Sequence, residues 1–179
     1  MQKEHDDNKK YAPLKPAFIK AIPTIAIIIS SLYALSACRQ SAELSASEKR
    51  AVSEEVRTML GRYFEDMNKE GLLSEFRYLD NSPDFFWVPP GYTTSISYDS
   101  VAVVLKATVL TLRTIDYKWE TLRIIPLSAE LATFTGIIQG VITDTTGTVT
   151  KLRLIETGTV IRRQSGWKLL NGQTAILPE

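Results

Sequence analysis

The sequence predicts an α+β domain: helices come first and pack on a curved antiparallel sheet of about four long strands plus one short strand. Three observations carry this. Apolar residues recur at helical spacing from Val52 to Met67, the period changes to two from about Asp116 onward, and short polar turns containing glycine separate the later segments. Short connections make successive strands antiparallel, and a helical layer must cover one face of such a sheet.

Ser45-Ala46-Ser47-Glu48 has the spacing of a capping box and starts the first helix. Val52, Val56, Met59, Leu60, Tyr63, Phe64 and Met67 form one apolar stripe, while Glu54, Glu55, Arg57, Arg62, Glu65 and Asp66 occupy the other faces. That polar face is mixed in charge, so the stripe reads as core and not as a membrane-binding surface. Gly71 interrupts the pattern. Leu72, Leu73, Phe76 and Leu79 then predict a shorter helix, ended by Asn81-Ser82-Pro83. Asp84–Val88 reads as a short strand whose alternation sends Phe85 and Trp87 to one side and Phe86 to the other. Pro89-Pro90-Gly91 must turn. Ser97 is placed to cap a third helix with Val101, Val104, Leu105, Thr108 and Leu112 on one face.

Four long strands follow: Tyr117–Leu127, stopped or bent at Pro126; Leu131–Thr143; Val149–Arg163; and Trp167–Leu177. Asp144-Thr145-Thr146-Gly147 and Gln164-Ser165-Gly166 are the hairpin turns between the last three. Gly136, Gly140 and Gly158 lie inside strands, where bulges or bends are expected. Lys151, Arg153, Arg162 and Arg163 read as a solvated edge that discourages strand pairing. Trp167 is expected to pack the last strand onto the helices.

Ahead of this domain, a lysine-rich segment is followed by the uncharged run Ala21–Ala37, the order of a signal peptide. The run ends in Leu35-Ser36-Ala37-Cys38, which resembles the bacterial lipobox. The resemblance implies cleavage before Cys38 and acylation of its thiol, since buried acyl chains anchor a protein stably. The expected organisation is therefore a signal peptide with lipobox over 1–37, a lipidated Cys38 and tether over 38–46, and a folded domain over 47–179. Arg39 follows the cysteine instead of Asp. By resemblance to Gram-negative sorting, that implies a lipid-anchored envelope protein on the outer membrane facing the periplasm.

Charge and rare residues exclude several functions. The first 37 residues contain five lysines and three acids; removing them from totals of 21 and 20 leaves sixteen basic against seventeen acidic side chains. So balanced a domain argues against nucleic acid as a partner. His5 and Cys38 are the only histidine and cysteine. If His5 leaves with the signal peptide and Cys38 carries lipid, Ser-His-Asp and Cys-His catalysis and His- or Cys-ligated zinc are excluded. No cofactor or metal is expected, and any catalysis must use carboxylates, Tyr, Lys, Arg or backbone groups.

The helix ending RYFEDMNKEGL, the short helix, DFFWVPPG, a further helix and a sheet closing with GWKLLNGQTAIL together resemble the nuclear transport factor 2-like superfamily, in its SnoaL-like branch. The resemblance covers Ser45 to Leu177 and implies a cone whose helices and curved sheet enclose an apolar pocket. Against ketosteroid isomerase, Tyr63 matches an oxyanion-donor tyrosine, but Val88 stands where the base is an Asp. Thr157 lies near the second acidic donor. Asn171 and Gln173 stand where SnoaL-like sequences often carry a histidine.

The candidate ligand-binding residues are Tyr63, Trp87, Tyr98 and Trp119, and the candidate catalytic pair is Tyr63 with Glu156. Glu156 shares a strand face with Leu152, Leu154 and Val160; it is either a buried acid with a raised pKa or a partner of Arg153 or Arg162 at a sheet end. Two functions follow. One is a non-catalytic, lipid-anchored envelope module that binds an apolar small molecule or a partner and forms a homodimer through the open sheet face. The other is an isomerase, dehydratase or cyclase acting on an apolar small molecule in the pocket.

Overall fold

Ser45 opens the first helix as its spacing predicts, in a computed structural model that describes residues 43–178. The expected signal peptide, lipobox and Cys38 lie outside the described residues. The Ser45 hydroxyl accepts from the Glu48 N–H, and the Glu48 carboxylate accepts from the Ser45 N–H at 2.8 Å. Helix α1 (Ala46–Glu70) buries all seven residues of the predicted stripe. Each such side chain contributes roughly 1.5–3 kcal/mol of transfer free energy. Gly71 ends the helix at φ +92°, a conformation that a side chain disfavours.

The next turn, Leu72–Arg77, is a 3-10 helix. Its tighter winding rotates side chains away from the positions a 3.6-residue turn predicts. Leu73 is exposed and Ser74 is buried, and Glu75 turns inward. Strand β1 (Phe86–Val88) is shorter than expected but keeps the expected alternation, with Phe85 and Trp87 buried and Phe86 exposed. Gly91 turns the chain at φ +84°. Ser97 caps helix α2 (Tyr98–Thr108).

Leu112 is not on that helix. It begins strand β2 (Leu112–Pro126), which starts five residues earlier than the period alone suggests. The β-branched Thr111 and Thr114 favour extended backbone there. β3 (Leu131–Asp144), β4 (Val149–Arg163) and β5 (Gly166–Ile176) follow close to their predicted bounds. The Asp144 carboxylate accepts from the N–H groups of Thr146 and Thr148, and Gly147 turns at φ +91°. The sheet order is β1-β5-β4-β3-β2, with β1 parallel to β5 and every other pair antiparallel. α1 packs across the inner face, whose core includes Phe134, Ile138, Leu154, Val160 and Leu169.

Bulges bend the sheet, but not at the predicted glycines. The register slips at Arg113 and Glu120 in β2 and at Leu170 in β5. The glycines instead make room for aromatic rings. A Cβ on Gly136 would lie 2.7 Å from the Trp119 ring, one on Gly140 2.6 Å from Tyr117, and one on Gly158 3.1 Å from Phe134.

The arginines expected at a solvated edge are engaged. Arg163 grips the buried Asp80 with two hydrogen bonds, 2.8 and 2.7 Å, holding that carboxyl below the usual carboxylate range. Arg162 pairs with Glu55 and stacks on Trp167, whose indole N–H donates to Glu55 at 2.9 Å. Trp167 thus ties β5 to α1, as expected of it.

Candidate functional site

Hydrogen-bonding side chains from five elements line a single cavity: Tyr63 from α1, Glu75 from the 3-10 helix, Trp87 from β1, Glu156 from β4 and Thr174 from β5. The cavity holds about 160 Å³. The rest of its wall is apolar or aromatic, including Phe64, Met67, Leu105, Tyr117, Ile138 and Leu154, with Pro89 and Pro90 from the turn after β1. Among the described residues lining it there is no Lys, Arg or His.

Tyr63 is buried on the α1 stripe, and its hydroxyl donates to Glu75 Oε1 at 3.1 Å. Burial, then the charges of Glu75 and Glu156, push its pKa well above the ordinary tyrosine value, so it stays a neutral donor. Glu75 is half-buried, and desolvation lifts its carboxyl to about 7 against the hydrogen bond from Tyr63. Glu156 is 4 % exposed. Burial first, and then the charge of Glu75, raise it to about 8. The charge of Glu75 thus opposes ionisation of Glu156.

Hydrogen bonds orient Glu156. The Trp87 indole N–H donates to Thr174 Oγ1 at 3.1 Å, which commits the Thr174 hydroxyl to donate to Glu156 Oε2 at 3.2 Å. Glu156 Oε1 is buried and has no hydrogen-bond partner in the protein. A buried polar atom without a partner costs about 1–3 kcal/mol. When protonated there, Glu156 is a hydrogen-bond donor; Glu75, when ionised, is a base. A neutral acid, a carboxylate and a tyrosine hydroxyl in a water-poor pocket can take a proton from one atom of a bound molecule and give one to another.

Of the residues singled out in the sequence, Tyr63, Trp87 and Glu156 meet at this cavity. Tyr98 and Trp119 do not line it. Tyr98 packs on Phe76 and Phe85, with ring centroids 6.1 and 5.8 Å away. Trp119 lies over Gly136 and donates to the Leu60 carbonyl at 3.0 Å, a bond that fastens β2 to α1. Glu156 has neither of the arginine partners considered for it, since Arg153 pairs with Glu120 and Arg162 with Glu55. The inward acid on β4 is Glu156, one residue before Thr157, whose hydroxyl donates to the Phe134 carbonyl.

Glu75 was missed by reading the sequence. The signal was present: it stands three residues after Leu72 and four before Leu79, an acid on the apolar side of a short helix. A larger hollow of about 810 Å³ lies on the outward side of β2–β4, lined by Lys118, Gln139, Lys151, Arg153 and Ile176 among others. Its lining side chains are exposed or half-buried.

No protein-family model and no curated protein matches the chain. Solved structures do. A nuclear transport factor 2-like superfamily protein from Salmonella enterica matches with TM-score 0.62 and 13% identity, over 73% of this chain and 94% of that one. A candidate scytalone dehydratase from Novosphingobium aromaticivorans matches with TM-score 0.66 and 11% identity, over 75% and 89%. The hexachlorocyclohexane dehydrochlorinase LinA-type3 from Novosphingobium barchaimii matches with TM-score 0.60 and 12% identity, over 75% and 92%. At such identities the likeness is one of fold: residues 43–178 form the cone-shaped α+β fold of nuclear transport factor 2-like proteins.

Proposed function

We propose that the inner cavity binds a small, largely apolar molecule and moves protons on it, as an isomerase or a lyase does, with Glu75 as base and Glu156 and Tyr63 as acidic hydrogen-bond donors. The observation that carries this is Glu156, buried with an unpartnered Oε1, lining an apolar pocket together with a second carboxyl, Glu75. The reading of a non-catalytic module rested on the missing histidine, the intact fold and the missing base at Val88. Glu75 supplies a carboxylate from a different element, which favours the catalytic alternative. The dehydratase and dehydrochlorinase of the same fold bear the names of eliminations, reactions in which a base takes a proton from carbon.

The test is hydrogen–deuterium exchange at the carbons beside the carbonyl of cyclohexanone and 4-piperidone, followed by NMR in deuterated buffer. The protein should accelerate exchange of at least one probe, and Glu75→Gln should slow it about 100-fold, the usual scale of a general base. Exchange no faster than in buffer, or unaffected by Glu75→Gln, overturns the proposal.

Two further parts of the reading concern where the domain works. The lipobox resemblance at Leu35–Cys38 supports acylation of Cys38 and an address on the bacterial envelope, facing the periplasm if the source is Gram-negative. Cys38→Ala should abolish metabolic palmitate labelling and release the protein from membranes; persistence of both defeats the anchor. The outward sheet face exposes Ile125, Val141 and Ile155, which supports a homodimer through that face. Light scattering should give twice the chain mass, and Ile155→Glu should return it to one; a wild-type monomer ends that idea.

A further inference from the structure

We infer that the molecule held in the inner cavity is a compact organic monocation, an amine protonated at neutral pH, on a body about the size of a six-membered ring. The inference deepens the proposed function and rests on that same site.

Size comes from the volume. About 160 Å³ is close to the roughly 150 Å³ of an apolar cavity that takes up benzene. Charge comes from the lining. Two carboxyls, Glu75 and Glu156, face the cavity, and no cationic side chain among the described residues lining it balances them. An anion would meet like charge from both. A neutral guest would leave any ionised carboxyl without a counter-charge in a desolvated site, which is costly. A monocation removes that cost by pairing with whichever carboxyl is ionised, and Glu156, buried with its Oε1 unpartnered in the protein, is one of the two.

The walls agree with the charge. Tyr63, Phe64, Trp87 and Tyr117 line the cavity, and aromatic faces attract cations, more strongly where water is excluded. The remaining lining, Met67, Leu105, Ile138 and Leu154, suits the ring body. The polar groups facing Glu156 are Glu75 from the 3-10 helix, Tyr63 from α1, Tyr117 from β2 and Thr174 from β5. All are neutral or acidic. Burial raises both carboxyls toward the neutral range, so the site gains negative charge as pH rises through it, and an ammonium meets that charge. Binding should therefore strengthen as pH rises through that range, while the amine stays protonated.

The experiment uses the purified full chain and three rings of one size: piperidine as the cation, cyclohexanol as the neutral hydrogen-bonding form and cyclohexanecarboxylate as the anion. Titration calorimetry at pH 6 and 8 should show piperidine binding at least tenfold tighter than cyclohexanol at pH 8, and about tenfold tighter at pH 8 than at pH 6. Glu75→Gln and Glu156→Gln, which keep the shape of the neutral acids, should each erase most of that preference; circular dichroism checks that both remain folded. Cyclohexanol binding as tightly as piperidine overturns the cation while leaving the pocket and its acid–base reading intact. A preference that survives in both Gln variants places the cation elsewhere and overturns the inference. Binding of none of the three overturns the inference and the proposed function together.

Discussion

Glu156→Gln raises the melting temperature by about 10 °C at pH 9 and leaves it nearly unchanged at pH 5. Glu156 is buried, and its carboxyl is raised from the ordinary 4.5 to about 8, first by burial and then by the charge of Glu75. Between those two values the folded protein holds a proton that the unfolded chain has released. Stability is therefore fully present below pH 4.5 and falls as pH rises toward 8, by up to about 1.4 kcal/mol per unit. Part of this is shared with Glu75, so a loss of about 3 kcal/mol by pH 9 is the expected scale. Gln resembles the protonated acid in shape and carries no charge, so the variant escapes the loss. For a domain of this size, about 3 kcal/mol corresponds to roughly 10 °C. Thermal melts of both proteins at pH 5, 7 and 9 decide it. A gain that is the same at all three values would mean that Glu156 does not change its charge in the fold.

A protein that is more stable without a buried acid retains it at a cost. Such a cost is the usual mark of a functional group, because a merely structural position tolerates the neutral residue. The same logic applies to Glu75, raised to about 7 by desolvation, and to the free Oε1 of Glu156. The two carboxyls destabilise each other, and what they share is a cavity.

Much of the architecture was legible because it follows from periodicity. The α1 stripe is a run of seven residues at helical spacing, and burial follows it residue by residue. Glu156 was legible too: strand alternation sends every second residue inward, and an acid flanked on that face by Leu154 and Val160 stands out. Glu75 lines up with Leu72 and Leu79 at helical spacing, but an acid three residues after a leucine in so short a segment does not by itself show that it turns inward. Tyr98 and Trp119 were misassigned for another reason. Both are large and partly buried, and sequence cannot distinguish an aromatic that fills a core from one that borders a space. Here the Trp119 ring fills the room that Gly136 leaves, and Tyr98 packs on Phe76 and Phe85.

Gly172→Ala tests that relation where it reaches the site. Gly172 lies beside Trp87 across the β1–β5 pair and beside Gly158 across β4–β5. A Cβ there would stand 2.4 Å from the Thr157 carbonyl oxygen and 2.7 Å from the Trp87 ring. The carbonyl belongs to the sheet and cannot swing away, so strand and indole both have to move. Overpacking of this kind costs about 1–3 kcal/mol. The consequence is not confined to packing. The displaced indole loses its 3.1 Å bond to Thr174, whose hydroxyl is then free to turn from Glu156. That hydrogen bond lowers the Glu156 pKa against burial, so its loss moves the titration of the pair to higher pH. Thr174→Val provides the comparison: it removes the hydroxyl at nearly constant volume, and should shift the pH dependence in the same direction with a smaller loss of stability. Denaturant melts report the packing, and the pH dependence of piperidine binding reports the relay. If Gly172→Ala lowers stability but leaves that pH dependence where it is in the wild type, Trp87 packs against the site without orienting Glu156.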